Sequence, residues 1–291
     1  MPPAFRGFRG DRGGGVTAPA LRILSLGAGV QSTTMALMAA HGLLGHVDAA
    51  IFADTGAEPA PVYDHLRWLT SPNVLPFPVH VVMRGHLRDD MRADLNTTGG
   101  RFVSVPFFGR TPAGATMMAR RQCTSEYKLK PIRAWVVQEY QRRTGLSRPT
   151  ASWCEMLIGI SVDEVIRAKP SRVRYIDNAH PLLDVRMRRW DCLRWLDRHG
   201  YPRPPKSACS ECPFRTNAEW RWLRENDPAG FEHACVSDEM LRQGIQAGRF
   251  QSELYLHRSL VPLRVADLRS DEERGQLAMP MLNECEGMCG V

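Results

Sequence analysis

Residues Ser25 to Ser32 read S-L-G-A-G-V-Q-S and follow the apolar run Leu21-Arg22-Ile23-Leu24. They lead into Ser32-Thr33-Thr34 and a further apolar stretch. A strand that breaks at a glycine-containing turn and reopens as a helix leaves unpaired backbone N–H groups at the positive end of the helix dipole. Phosphate is favoured at such a place. Gly27 and Gly29 are expected to supply close approach or positive φ, and the hydroxyls of Ser25, Ser32 and Thr33 to add donors. On this stretch alone an ordinary strand-to-helix turn stays open.

Three further sets of residues could do chemistry. The run 47–53 reads as a strand ending in Asp54-Thr55-Gly56-Ala57-Glu58. Open parallel sheets bind ligands at the carboxyl ends of their strands, so Asp54 is expected near a ribose or adenine. A buried-looking strand likewise precedes Gly159-Ile160-Ser161-Val162-Asp163-Glu164-Val165-Ile166-Arg167. Asp163 there is a candidate metal or ribose contact and Arg167 a phosphate clamp, with simple helix capping by Asp163 as the alternative. Cys209-Ser-Glu-Cys212 lies in a Pro-rich loop. C-x-x-C lets two thiolates reach one metal, and both zinc and iron–sulfur use it. Cys192 lies on an apparent helix before that loop, and a helical cysteine is often a small buried hydrophobe. Cys285 and Cys289, four apart near the C-terminus, fit a persulfide carrier, extra cluster ligands or an inert tail. Cys154 and Cys235 look structural.

The elements that must hold these residues alternate. Apolar runs at 21–26, 47–53, 79–83 and 155–160 interleave with helical patterns near 31–44, 59–70, 86–94 and 128–143, which predicts an α/β fold with a parallel sheet covered on both faces. Residues 96–122 carry turn-formers and little periodicity, and are expected to form a lid loop. After about Pro181 the pattern turns helical. The tryptophans there (Trp190, Trp195, Trp220, Trp222) are expected in the core, with nucleobase stacking as the lesser alternative. The expected organisation is a basic tail over 1–20, a nucleotide-binding domain over 21–185 and a helical, cysteine-containing region over 186–291.

The motifs S-x-G-x-x-x-Q-S (Ser25, Gly27, Gln31, Ser32) and D-T-G (Asp54 to Gly56) resemble the adenine nucleotide alpha-hydrolase, or PP-loop ATP pyrophosphatase, superfamily. So do C-x-x-x-x-K-x-x-P (Cys123, Lys128, Pro131), G-I-S-x-D-E-x-x-R-A (Gly159 to Ala168) and the pair Cys209 and Cys212. Within the superfamily the phosphoadenosine phosphosulfate (PAPS) reductase-like branch is the most similar. The resemblance implies a Rossmann-like PP-loop fold and ATP with Mg2+, the phosphates on Ser25 to Thr33 and the adenosine near Asp54. Lys128 and Arg167 would stabilise charge at the α-phosphate. It also implies a [4Fe–4S] cluster on Cys123, Cys192, Cys209 and Cys212, or on Cys123, Cys209 and Cys212 without Cys192, with zinc as the alternative. The superfamily's usual loop is S-G-G-x-D-S. Here Gln31 replaces the acid, which leaves Asp54 and Asp163 as the charged candidates for magnesium.

The function this implies is ATP-dependent sulfur transfer to a nucleic acid (DNA or tRNA) or a nucleotide, with a sulfur donor such as a cysteine desulfurase. Sulfonucleotide reduction, with Cys285 or Cys289 as nucleophile, is the second enzyme reading. A non-catalytic nucleic-acid-binding subunit of a modification or defence complex is the third. The net charge of +7 favours polyanions, and residues 101–150 hold ten Lys/Arg against two acids. A solvated helix face with a few phosphate ligands explains that block equally well. No apolar run approaches a membrane span. The N-terminus lacks a hydrophobic signal segment, and the eight cysteines fit metal or redox roles in a cytoplasmic setting.

Overall fold

The computed structural model describes residues 20–93, 105–111, 113–243, 253–270 and 273–275. Five strands form a parallel sheet: β1 (Leu21–Ser25), β2 (Ala49–Asp54), β3 (Val79–Met83), β6 (Cys154–Ile158) and β7 (Ile176–Ala179). Their order is β3-β2-β1-β6-β7. The chain thus runs outward from β1 through β2 to β3, then returns to β6 on the other side of β1. That reversal opens a crevice at the carboxyl ends of β1 and β6, where doubly wound sheets take their ligands. This is the expected α/β architecture, although the sequence pattern had not picked out β7.

Strand side chains alternate between two apolar layers. Leu24, Ala50, Phe52 and Leu157 pack under α1 (Val30–Ala40), α2 (Ala60–Leu69) and α6 (Arg189–Arg198). Leu21, Ile23, Ile51, Met156 and Ile158 pack against α4 (Lys130–Thr144). A strand buried on both faces needs near-continuous apolar sequence, which is what these runs have. The C-terminal segment therefore contributes to the sheet's own core: α6 lies beyond 185, yet its Cys192, Trp195 and Leu196 share the layer of Leu24 and Met35.

A third apolar cluster joins α7 (Asn217–Asn226) and α8 (Pro228–Gln243) to the short α3 (Leu87–Arg92). Helix α7 begins with a capping box: Thr216 Oγ1 accepts from Glu219 N–H, and Glu219 Oε2 accepts from Thr216 N–H at 2.8 Å. Val105 and Phe107 are buried in this cluster. They lead into a hairpin of β4 (Phe108–Arg110) and β5 (Thr116–Met118) that also pairs with Tyr255. The described part of the expected lid is thus anchored by core packing, while 96–104 and 112 lie outside the described residues.

Among the tryptophans, Trp195 and Trp220 are buried as expected, but Trp190 is 60% exposed. It occupies the first turn of α6, outside the face that meets the sheet. The basic block is not one open face. Lys128 pairs with Glu58, Lys130 with Glu126, and Arg142 and Arg143 with Glu139. Among the described residues no helix is long and apolar enough to cross a membrane.

Candidate nucleotide site and adjoining cysteine pocket

The turn after β1 and the start of α1 form the phosphate-site candidate. Ser32 Oγ accepts from Gly27 N–H at 3.1 Å and donates to Gly29 C=O at 3.3 Å, which closes the loop on itself. The left-handed residue is Ala28, with φ of 55°, rather than either glycine. Gly29 caps α1 without a side chain, so the first helix amides carry no side-chain cap. Its own need is space: a Cβ there would meet Ser207 Cβ at 3.3 Å. Ser207 also hydrogen-bonds Gly27 C=O, so the 202–207 segment roofs the turn.

Gly159, at the end of β6, supports the same loop from the other side. A Cβ there would lie 3.0 Å from Ser32 N and 3.2 Å from Gln31 Cβ. Gln31 is buried and donates to Glu164 Oε2 at 3.3 Å. A carboxylate, that of Glu164, thus lies beside Gln31. Glu164 in turn pairs closely with Arg167.

Several expected ligands are engaged elsewhere. Thr33 Oγ1 meets His65 Nε2 at 3.0 Å in the interface between α1 and α2. Asp163 Oδ2 accepts from Arg189 N–H at 2.6 Å and so fixes the start of α6, the capping alternative transferred to a later helix. Asp54 Oδ1 accepts from Gly56 N–H and from Tyr63 OH, both at 2.8 Å. Gly56 has φ of 69° and lies against the His86 ring, where a Cβ would approach Cδ2 to 2.3 Å. Only glycine satisfies both conditions.

Next to this site, Cys123, Cys209 and Cys212 line one cavity of about 40 Å³ with Thr55, Arg121, Lys128 and Ser207. A π-helical turn, Thr124–Leu129, precedes α4. In i→i+5 winding, residues five apart come close to one face, and this brings Cys123 and Lys128 to the same cavity. The C-x-x-C loop is held by Ser210 N–H donating to Ala57 C=O at 2.7 Å. The buried Arg215 guanidinium donates to Ala208 C=O at 2.6 Å and Cys209 C=O at 3.2 Å.

Burial pushes the Cys209 thiol well up, and Glu58 adds to this against Lys128 and the Thr55 hydrogen bond. Burial also raises Cys123, with Arg121 and Lys128 opposing and Cys212 reinforcing. These thiols stay protonated at neutral pH until a cation or electrophile compensates their charge. Glu58 is central: its Oε1 receives Lys128 Nζ at 3.3 Å and lies 3.6 Å from Cys209 Sγ. Its Oε2 has no hydrogen-bond partner among the described residues.

Cys192 is not in this pocket. It is fully buried in the layer beneath α1, and burial pushes its thiol up to about 12. Cys285 and Cys289 lie outside the described residues. Among the described residues, no three His, Cys, Asp or Glu side chains stand close enough to hold a metal ion as arranged. The donor types nevertheless suit a thiolate-bound metal: three thiols, with Arg121 and Lys128 to offset their charge.

The sequence had not marked Glu58, Glu164 or Ser207, and had marked Arg121 only as part of the basic block over 101–150. Glu58 and Glu164 stood within recognised motifs, but only their contacts separate them from Asp54 and Asp163.

No family model matches the chain, and no curated protein matches it in sequence. Among solved structures it is similar to a phosphoadenylyl-sulfate (PAPS) reductase from Candida auris in its phosphate complex, at 12% identity and a TM-score of 0.40. The match covers 65% of this chain and 76% of that one, and a likeness at this level assigns no function.

Proposed function

We propose that the protein is an adenine-nucleotide-dependent sulfur-transfer enzyme that activates a nucleic acid or nucleotide with ATP. The observation that carries this reading is the junction of two sites. Thr55 and Ser207 line the cavity of Cys123, Cys209 and Cys212, and Ser207 also covers the phosphate turn at Gly27 and Gly29. Sulfur chemistry and phosphate chemistry would thus share a wall.

In this reading the amides at the start of α1 and the Ser32 hydroxyl hold phosphate, and Asp54 with Tyr63 lies where the adenosine binds. Gln31 and Glu164 would hold Mg2+, which when bound supplies positive charge at the phosphates, and Arg167 beside Glu164 would add a second cation there. An acceptor oxygen attacks the α-phosphorus, the bond to the bridging oxygen breaks, and pyrophosphate departs with the electron pair. Lys128 and Arg167 offset the charge that develops. Hydrosulfide, freed by thiol reduction from a persulfide donor such as a cysteine desulfurase, then attacks the activated carbon and AMP leaves. Cys123, Cys209 and Cys212 would hold a [4Fe–4S] cluster or zinc, which when bound supplies a site for sulfide. Cys192 has no place in that set.

The cations beside the thiols also favour a second reading, sulfonucleotide reduction, since Arg121 and Lys128 would suit a sulfonate anion. One experiment separates the two. Pyrophosphate release from ATP, dependent on acceptor and lost in Lys128→Ala, supports transfer. Sulfite release from PAPS or APS with thioredoxin, without ATP turnover, overturns it in favour of reduction.

A further inference from the structure

We infer that the surface formed by Val165, Ile166 and Trp190 receives an unpaired segment of nucleic acid, with one base stacked on the Trp190 ring. This rests on the reading above and narrows its acceptor to single-stranded nucleic acid. Ile166 is 87% exposed and Val165 and Trp190 more than half exposed, although side chains of this kind are ordinarily buried. They come from two segments that are fastened together. Val162 N–H donates to Met187 C=O at 2.9 Å, and Arg189 N–H to Asp163 Oδ2 at 2.6 Å. The patch adjoins the nucleotide site, because Glu164 on the same turn touches Gln31 of the phosphate loop.

Charge identifies the occupant. Arg186 and Arg188 are exposed and enter no ion pair among the described residues. Of the nearby acids, Glu164 is paired with Arg167 and Asp191 with the Arg194 side chain, Asp163 accepts from Arg189 N–H, and Asp184 is exposed, so the two arginines exceed the free acid on this edge. An open indole flanked by guanidinium groups offers a ring face to a base and cations to its phosphates. In a duplex the base faces are stacked on one another, so only an unpaired base can use the ring.

The test is binding of short fluorescent single-stranded DNA and RNA by the full-length protein, with the matching duplex as comparison. The expected result is salt-dependent binding that favours single strands and weakens about tenfold in Trp190→Ala. Trp190→Phe should retain most of the affinity, because an aromatic face remains. Arg188→Ala should reduce the salt slope by about one. Because Trp190 is exposed, its truncation leaves the core intact, which circular dichroism checks. Equal binding by Trp190→Ala and wild type, preference for duplex, or no binding of any oligonucleotide overturns the inference. Calorimetry of ATP with the wild-type protein separates the two proposals. ATP binding without oligonucleotide binding removes this surface and leaves the nucleotide site. Trp190-dependent oligonucleotide binding without ATP binding does the reverse.

Discussion

Lys128 Nζ and Glu58 Oε1 lie 3.3 Å apart beside the cysteine pocket, and both side chains are almost wholly buried. The pair joins the turn after β2 to the π-helical turn before α4, two segments 70 residues apart. Removing one member of a buried pair strands the other's charge in a poorly solvated place. Lys128→Met should therefore lower unfolding stability by roughly 3–5 kcal/mol, read from urea denaturation. Glu58→Gln with Lys128→Met should recover much of that loss while pyrophosphate release stays absent. A stable but inactive single mutant would show that the pair has no structural role.

Gly159 underlies the turn after β1, the proposed phosphate site, so closely that a methyl group would press on Ser32 N and Gln31. Gly159→Ala should cost about 1–3 kcal/mol through overpacking. It should also weaken ATP binding, measured by calorimetry, because the first helix amides shift. Unchanged affinity would mean that phosphate does not use those amides.

The cysteines divide by location. Cys123→Ser, Cys209→Ser and Cys212→Ser should each lose bound metal in anaerobic preparations assayed for iron, zinc and acid-labile sulfide. Cys192→Ala should keep full metal content and lose only about 1–2 kcal/mol of core packing. Metal loss in Cys192→Ala at unchanged stability would restore it as a ligand. Near four irons and four sulfides per chain would identify the cluster, and one zinc the alternative.

Burial lowers His65 to about 4 and His257 to about 4. An unfolded histidine titrates near 6.5. The folded values lie below the unfolded one, so unfolding takes up protons between these limits. The stabilisation is complete above about pH 6.5 and is lost as pH falls toward 4, up to about 3 kcal/mol for each group. Urea unfolding at pH 7.5 and pH 5 should show the drop, and His65→Asn with His257→Asn should flatten it. A flat wild-type profile over this window would contradict the buried, neutral state of both rings.

The sequence by itself determined the sheet and its main helices. Runs such as Leu21–Ser25 and Ala49–Asp54 carry apolar residues at both odd and even positions, a pattern that fits a strand covered on both faces. It also located the turns after β1 and β2, because glycine and hydroxyl residues after a strand are local signals. The short β7 escaped because Ile176-Asp-Asn-Ala179 carries one large apolar residue, and its strand form depends on pairing with β6.

Only the tertiary structure decided which side chains face one another. Asp54 and Glu58, or Asp163 and Glu164, are equivalent as letters in a motif. Their roles separate through long-range partners: Tyr63 and Lys128 for the first pair, Arg189 and Gln31 for the second. Cys192 and Cys209 likewise stood in one candidate ligand set until packing buried the first under α1 and turned the second into the pocket. Trp190 and Trp195 lie on one helix, five residues apart, and only the direction of that helix across the sheet leaves one in solvent and the other in the core. Local sequence fixes backbone preference, whereas burial and charge pairing depend on contacts between segments distant in the chain.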